Sequence, residues 1–106
     1  MTILQGSICR FYLHETDRHG GRMLWEWLLG EANRLGIRGG SAFRAIGGFG
    51  RHHVVHENHF FELAGSATIE VEFIVTEEEA RQLLALLEKE KVHAFYALTA
   101  AQFGTS

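Results

Sequence analysis

Alternating apolar and polar positions predict four strands in this chain. In the first of them, Cys9, Phe11 and Leu13 share one wholly apolar face, so we expect Cys9 to lie in the core. The longest uninterrupted alternation is in the third. The predicted strands are Ser7 to His14, Ser41 to Ile46, Ala67 to Val75 and Val92 to Thr99.

Apolar residues three or four positions apart predict two helices. The first follows Arg22 and ends before Gly36, which stands where a left-handed C-terminal glycine is expected. The second follows Thr76, which has capping-box spacing to Glu79. The apolar stripes are Leu24, Trp27, Leu28, Ala32 and Leu35 in the first helix and Ala80, Leu83, Leu84 and Leu87 in the second.

The resulting order, β-α-β-β-α-β, predicts an α+β domain of ferredoxin-like topology, with an antiparallel sheet and both helices on one face. A chain of 106 residues has room for one such domain, spanning residues 1–106. The other sheet face would carry Ile8, Tyr12, Phe95 and Ala97. A monomer rarely leaves such an apolar surface exposed, so the pattern predicts an oligomer.

Composition and charge exclude several classes of protein. A net charge of −3 argues against a nucleic-acid partner. No apolar run approaches the roughly 20 residues of a membrane span. One cysteine excludes an internal disulfide, and the first residues lack the pattern of a signal peptide, so we expect a cytoplasmic protein that is not embedded in a membrane.

Glycines cluster in the segment from Arg44 to Arg51, at the end of the second predicted strand. Gly47, Gly48 and Gly50 would let the backbone turn tightly and offer free amides to an anion. The alternative is a glycine-softened bend that leads into a long hairpin.

The polar loop before the first helix is a second candidate site. Asp17, Arg18 and His19 lie there, and Arg18 or Arg22 could add positive charge to the helix N-terminus for an anion. The alternative is capping by Asp17 in a solvated loop. An acylphosphatase would place its catalytic arginine in this loop, but the longer glycine motif of that class is absent. A small phosphate-handling hydrolase is therefore only a minor alternative, and we expect no enzyme.

A histidine cluster offers the third candidate site. Neutral imidazoles could bind zinc or copper, but one chain supplies two or three ligands at most, so a trimer axis would have to complete the site. The alternative is a solvated loop. The residues concerned are His52, His53, His56 and His59.

Together, the segments 13–36, 44–51 and 66–76 resemble the PII-like family that is still labelled a domain of unknown function. The resemblance rests on the Glu-x-Asp-Arg-His-x-Gly motif from Glu15 and the Arg-x-Ile-x-Gly-Phe-Gly motif from Arg44. It implies a ferredoxin-like fold and a homotrimer with inward-facing sheets. Clefts between subunits would hold a small ligand, which in PII proteins is an adenine nucleotide. A flexible loop would act on a target protein, such as a membrane transporter or an enzyme.

Gly48, Gly50 and Arg51 match the base of the T-loop in nitrogen regulatory PII proteins, where backbone and side chain approach the nucleotide. The chain also departs from PII proteins. Position 52 is His instead of the 2-oxoglutarate-binding glutamine, no tyrosine follows before Gly65, and Glu88 to Val92 replaces the Gly- and Lys-rich phosphate loop.

The predicted function is thus a PII-like regulator that binds a small anionic ligand. Gly48, Gly50 and Arg51 are its predicted contacts, joined by Asp17, Arg18 and His19. The alternative is divalent metal binding by the histidine cluster, by analogy with the CutA trimers of the same superfamily.

Overall fold

A computed structural model describes residues 2–49, 56–57 and 67–106 of the chain. Four long strands and two helices follow one another in the order that the sequence predicts. Two pairs of two-residue strands lie between them. The elements are β1 (Leu4–His14), β2 (Arg18–His19), β3 (Arg22–Met23), α1 (Leu24–Arg34), β4 (Gly40–Arg44), β5 (Gly47–Gly48), β6 (His56–Glu57), β7 (Thr68–Thr76), α2 (Glu77–Lys89) and β8 (Phe95–Phe103).

The four long strands form one antiparallel sheet in the order β4-β7-β1-β8. The first and third long strands are central and the second and fourth are at the edges, which is the ferredoxin-like arrangement and confirms the predicted α+β class. In the described part of the chain, no helix is long and apolar enough to cross a membrane.

Both helices pack on one face of the sheet and bury the core there. The apolar stripe of β1 lies in this core, and the ring of Phe11 meets that of Phe73 edge-on, with centroids 6.2 Å apart. Cys9 is fully buried, as predicted. Its burial raises the pKa of the thiol from 9.0 to about 11, because a thiolate would lose its hydration there.

The end of the first helix differs from the prediction. Leu35 is 38% exposed, and α1 ends one residue earlier, at Arg34. Gly36 has the expected left-handed φ of 84°, which turns the chain sharply. This turn places Ile37 in the core, where it is 6% exposed, so the residue after the glycine is buried and Leu35 is not.

Strand bounds also differ, although the second helix begins as predicted. The first strand starts at Leu4 instead of Ser7, and the last runs from Phe95 to Phe103 instead of Val92 to Thr99. At the start of α2, Thr76 Oγ1 accepts a hydrogen bond from the Glu79 amide at 3.2 Å, while Glu79 Oε1 accepts one from the Thr76 amide at 2.8 Å. This is the predicted capping box.

The sheet face opposite the helices is open. Residues directly opposite each other in an antiparallel pair share a face, and Tyr12 lies opposite Phe95. Since Cys9, Phe11 and Leu13 face the core, the predicted phase of β1 is confirmed. Tyr12 is 37% exposed and Phe95 is 75% exposed. We call this surface the open face.

Strand β8 forms one edge of the sheet, and no strand among the described residues pairs with its outer side. Its sequence, FYALTAAQF, holds no charged residue. Charges, prolines and bulges are the usual devices that keep an edge strand from pairing with another chain. This edge has neither charge nor proline.

Candidate functional site

The predicted glycine segment lies at one end of the open face. After β4, the chain forms a separate antiparallel pair in which Gly48 lies opposite His56, so the backbone leaves the sheet at this point. A groove of about 340 Å³ opens beside it, within the usual range for small-ligand pockets. We call it the Gly48 groove. Its lining includes Tyr12, Phe43, Arg44, Gly48, Phe49 and Glu70.

Position 48 favours glycine because of its backbone conformation, and not because neighbouring atoms leave no space for a side chain. Its φ is 154°, which side-chain-bearing residues rarely adopt, whereas a Cβ added to it would meet nothing within 4 Å. The space above its backbone therefore stays open to the groove. A ligand could approach the main chain closely at this residue.

An ion pair joins the two motifs that the sequence singled out. Arg44 Nη2 lies 3.1 Å from Glu15 Oε2, and Arg44 Nε lies 3.3 Å from the same oxygen. The main chain holds the partners in place, because the Glu15 amide donates to the Ala67 carbonyl at 2.7 Å and the Ala45 amide to the Thr68 carbonyl at 2.9 Å. Each motif thus contributes one charge to a contact beside the groove. The spacing of the two motifs along the chain does not indicate that these charges meet.

The three predicted loop residues contact the protein itself. Asp17 Oδ2 accepts a hydrogen bond from the His14 amide at 3.0 Å. Arg18 Nη2 donates to the Gly21 carbonyl at 2.8 Å, within the small hairpin that β2 and β3 form. His19 Nε2 lies 3.1 Å from Glu90 Oε1, just beyond the end of α2. None of these loop residues is among those that line the Gly48 groove.

Most of the remaining predicted site lies outside the described residues. This applies to Gly50, Arg51, His52, His53 and His59. His56 is placed by its backbone alone, in β6. Across residues 2–49 and 67–106, no three His, Cys, Asp or Glu side chains gather as metal ligands would.

A second groove, of about 730 Å³, opens at the other end of the open face. The guanidinium carbon of Arg38 lies 5.5 Å from the centre of the Phe103 ring, and Arg38 Nη1 lies 3.5 Å from Glu79 Oε1. We call it the Arg38 groove. No local sequence pattern indicates this groove, because its walls come from both ends of the chain and from the start of β4. Its lining includes Leu4, Arg38, Ser41, Glu72, Ile74 and Phe103.

A charged cluster lies between the two grooves. Arg10 Nε is 3.2 Å from Glu70 Oε1 and 3.1 Å from Glu72 Oε2. All three side chains are about one-third exposed. The alternation of β7 predicts that both glutamates lie on one face of the sheet, and the alternation of β1 puts Arg10 on its non-core face. The sequence therefore indicated the face on which each charge lies. It could not show that the three side chains meet.

The fold is shared with solved structures of PII-like proteins. CPII, a nitrogen regulatory PII-like protein from Thiomonas intermedia K12, has been solved bound to ADP, AMP and bicarbonate. It matches this chain with a TM-score of 0.70 at 19% identity, over 98% of this chain and 92% of CPII. Its structure with ADP and bicarbonate gives a TM-score of 0.66 at 21% identity, over 98% and 93%.

The family is shown by sequence. A UPF0166 protein of Aquifex aeolicus (strain VF5) is 29% identical over 84 residues, which are 79% of this chain and 80% of that protein. Residues 6–102 match the DUF190 family, described as "Uncharacterized ACR". The chain belongs to the DUF190 family, and the predicted membership in a PII-like branch of unknown function is confirmed.

Proposed function

We propose that this protein is a non-enzymatic PII-like regulator that binds an adenine nucleotide in the clefts between the subunits of a homotrimer. The observation that carries the proposal is the Gly48 groove, where a glycine backbone lies open beside Arg44. CPII, which shares the fold, binds ADP, AMP and bicarbonate in its solved structure. The regulator would act in the cytoplasm on a target enzyme or membrane transporter, through the segment that follows Gly48.

The open face supports the trimer. Phe43, Ile74 and Phe95 are 52%, 41% and 75% exposed there, which is a large apolar surface for so small a domain. Burying it would contribute roughly 25 cal/mol for each Å² removed from water. A closed ring of three copies would cover the face of every subunit and leave no unpaired surface.

The same assembly would complete the ligand site. The two grooves lie at opposite ends of one face, so in a head-to-tail ring the Gly48 groove of one subunit would meet the Arg38 groove of the next. One wall would supply the Gly48 backbone, and the other would supply the guanidinium of Arg38. An anionic ligand would then lie between backbone amides on one side and a guanidinium on the other.

The predicted contacts have distinct roles in this proposal. The amides of Gly48 and Gly50 and the side chain of Arg51 would hold the phosphates, as at the T-loop base of PII proteins. The exposed ring of Phe43 would stack on the adenine. Arg18 would face the ligand from the hairpin, which Asp17 and His19 hold in place by the contacts described above.

Isothermal titration calorimetry tests the proposal. We expect ADP or AMP to bind with a micromolar Kd. Phe43→Ala should weaken binding roughly tenfold, because stacking of an aromatic side chain on a base is worth about 1–3 kcal/mol. Ile46→Ala is the matched control, since Ile46 is 80% exposed in the same segment and is not among the residues that line the groove.

Two results would contradict the proposal. One is the absence of binding below millimolar concentration for ADP, AMP, cyclic dinucleotides and 2-oxoglutarate. The other is an equal loss of affinity in Phe43→Ala and Ile46→Ala, because the effect would then not arise in the groove.

A further inference from the structure

Two aromatic side chains flank a carboxylate in the Gly48 groove. Glu70 of β7 lies directly opposite Phe43 of β4 on one side and directly opposite Tyr12 of β1 on the other. Residues directly opposite each other share a face of the sheet, so all three lie on the open face. All three also line the Gly48 groove. We call these three residues the Glu70 row.

The spacing of the strands leaves room for a planar base within the Glu70 row. Neighbouring strands lie about 4.8 Å apart, so the backbones that carry Phe43 and Tyr12 are roughly 10 Å apart. Stacked aromatic rings need about 4.5 to 7 Å between their centroids. Both rings are accessible, since Phe43 is 52% exposed and Tyr12 is 37% exposed. A base that enters edge-first beside Phe43 would point its leading edge toward Glu70.

Glu70 can accept a hydrogen bond from such a base. Arg10 Nε lies 3.2 Å from Glu70 Oε1 and so contacts one of the two carboxylate oxygens. A carboxylate has about four acceptor positions, so Oε2 can accept from a ligand. The side chain is 32% exposed. Because an ionised carboxylate accepts and does not donate, the group that faces it must be a donor.

We propose that Glu70 determines the base specificity of the site by accepting a hydrogen bond from the exocyclic amino group of the nucleotide base. This inference rests on the proposed function and adds a specificity-determining residue to it. Adenine offers the N6 amino group as a donor, beside the acceptor N7. The carboxylate therefore favours a base with an amino group at this position over a base without one.

The closed cleft makes this discrimination stronger. Hydrogen bonds to an ionised acceptor are roughly twice as strong as those between neutral groups. In a cleft covered by the neighbouring subunit, a base without the amino group would displace water from Glu70 Oε2 and offer no donor in return. A polar group that loses its water in this way costs binding free energy.

Calorimetry with two nucleotides that differ in one group tests the inference. Purine riboside 5′-monophosphate is AMP without the amino group, and it keeps the phosphate, the sugar and the purine ring system. We expect its Kd to be roughly tenfold higher than that of AMP, or more. In Glu70→Ala the two Kd values should agree within roughly twofold. Arg10 keeps a partner in this variant, because its Nε also donates to Glu72 Oε2 at 3.1 Å.

Two further variants show whether the effect belongs to the carboxylate of Glu70. Glu70→Gln keeps a neutral acceptor oxygen, so its ratio of Kd values should lie between those of Glu70→Ala and the wild-type protein. Glu78→Ala is the matched control, because Glu78 also pairs with an arginine, 2.6 Å from Arg81, but lies on the exposed side of α2 and lines neither groove. It should keep the wild-type ratio. A merely structural role of Glu70 would change both affinities together and leave the ratio unchanged.

The outcomes separate this inference from the proposed function. If neither nucleotide binds the wild-type protein, the proposed function fails and the inference fails with it. Equal Kd values in the wild-type protein, or an unchanged ratio in Glu70→Ala, overturn the role of Glu70 alone. Should Glu70→Ala bind neither nucleotide, Glu70→Gln decides: a ratio below that of the wild-type protein supports the role of Glu70, and an unchanged ratio overturns it.

Discussion

At the residue scale, Cys9 makes the stability of the protein depend on pH. Its thiol has a pKa of about 11 in the folded protein and near 9.0 when exposed, so above pH 9 the unfolded chain loses a proton that the folded chain keeps. Ionisation then favours unfolding, and stability falls from pH 9 to pH 11. We expect urea titrations to show a fall about 2 kcal/mol steeper over this range in the wild-type protein than in Cys9→Ala. Parallel pH profiles would contradict this assignment.

At the scale of elements, the capping box of Thr76 holds the junction of β7 and α2. Thr76→Ala leaves the Glu79 amide without its acceptor, and we expect it to lower the free energy of unfolding by about 1 kcal/mol in urea titrations. Thr16→Ala, in the exposed turn after β1, is the matched control and should change it by less than about 0.5 kcal/mol. A similar loss in both variants would mean that the cap adds nothing beyond an ordinary surface contact.

The helices and strands also show how much of the fold could be predicted from the sequence. Periodicity located all four long strands, both helices and the sheet face to which Tyr12 belongs, because these depend on local alternation. It could not place Leu35, since the turn at Gly36 brings Ile37 into the core instead. It also gave no reason for the glycine at the start of β4, where a Cβ on Gly40 would lie 2.5 Å from the ring of Phe73. Contacts between distant segments decide such positions, and a local pattern does not contain them.

Less of the candidate site than of the fold could be predicted from the sequence, because the site also depends on contacts between distant segments. The glycine cluster was visible because glycine marks unusual backbone, and Gly48 indeed has such a backbone. The ion pair of Arg44 with Glu15 crosses from one motif to the other, and the Arg38 groove is built from both chain ends. Neither follows from the spacing of residues. Both depend on the order of strands in the sheet.

At the scale of the whole molecule, the open face predicts the assembly. Light scattering at micromolar concentration should give about three times the mass of one chain. Phe95→Glu should lower this to the monomer mass, because burying an unpaired charge in the interface is costly. Its side chain is 75% exposed in the single chain, so the monomer itself should still fold. Ala85→Glu, on the exposed side of α2, should leave the trimer intact. A monomeric wild-type protein, or a trimeric Phe95→Glu, would contradict the proposed interface.

The uncharged edge of β8 would give the assembly a second role, which is to prevent aggregation. An uncharged edge of nine residues, with no proline, resembles the segments that add to growing β-aggregates once they are accessible. In a ring that covers this edge, subunit contacts would also protect each chain against misassociation with its neighbours. The β8 edge would then be protected in the assembled ring and prone to aggregation in a dissociated subunit. Selection would act on the tightness of the ring for reasons of solubility as well as of signalling, since each dissociated subunit offers a template for aggregation.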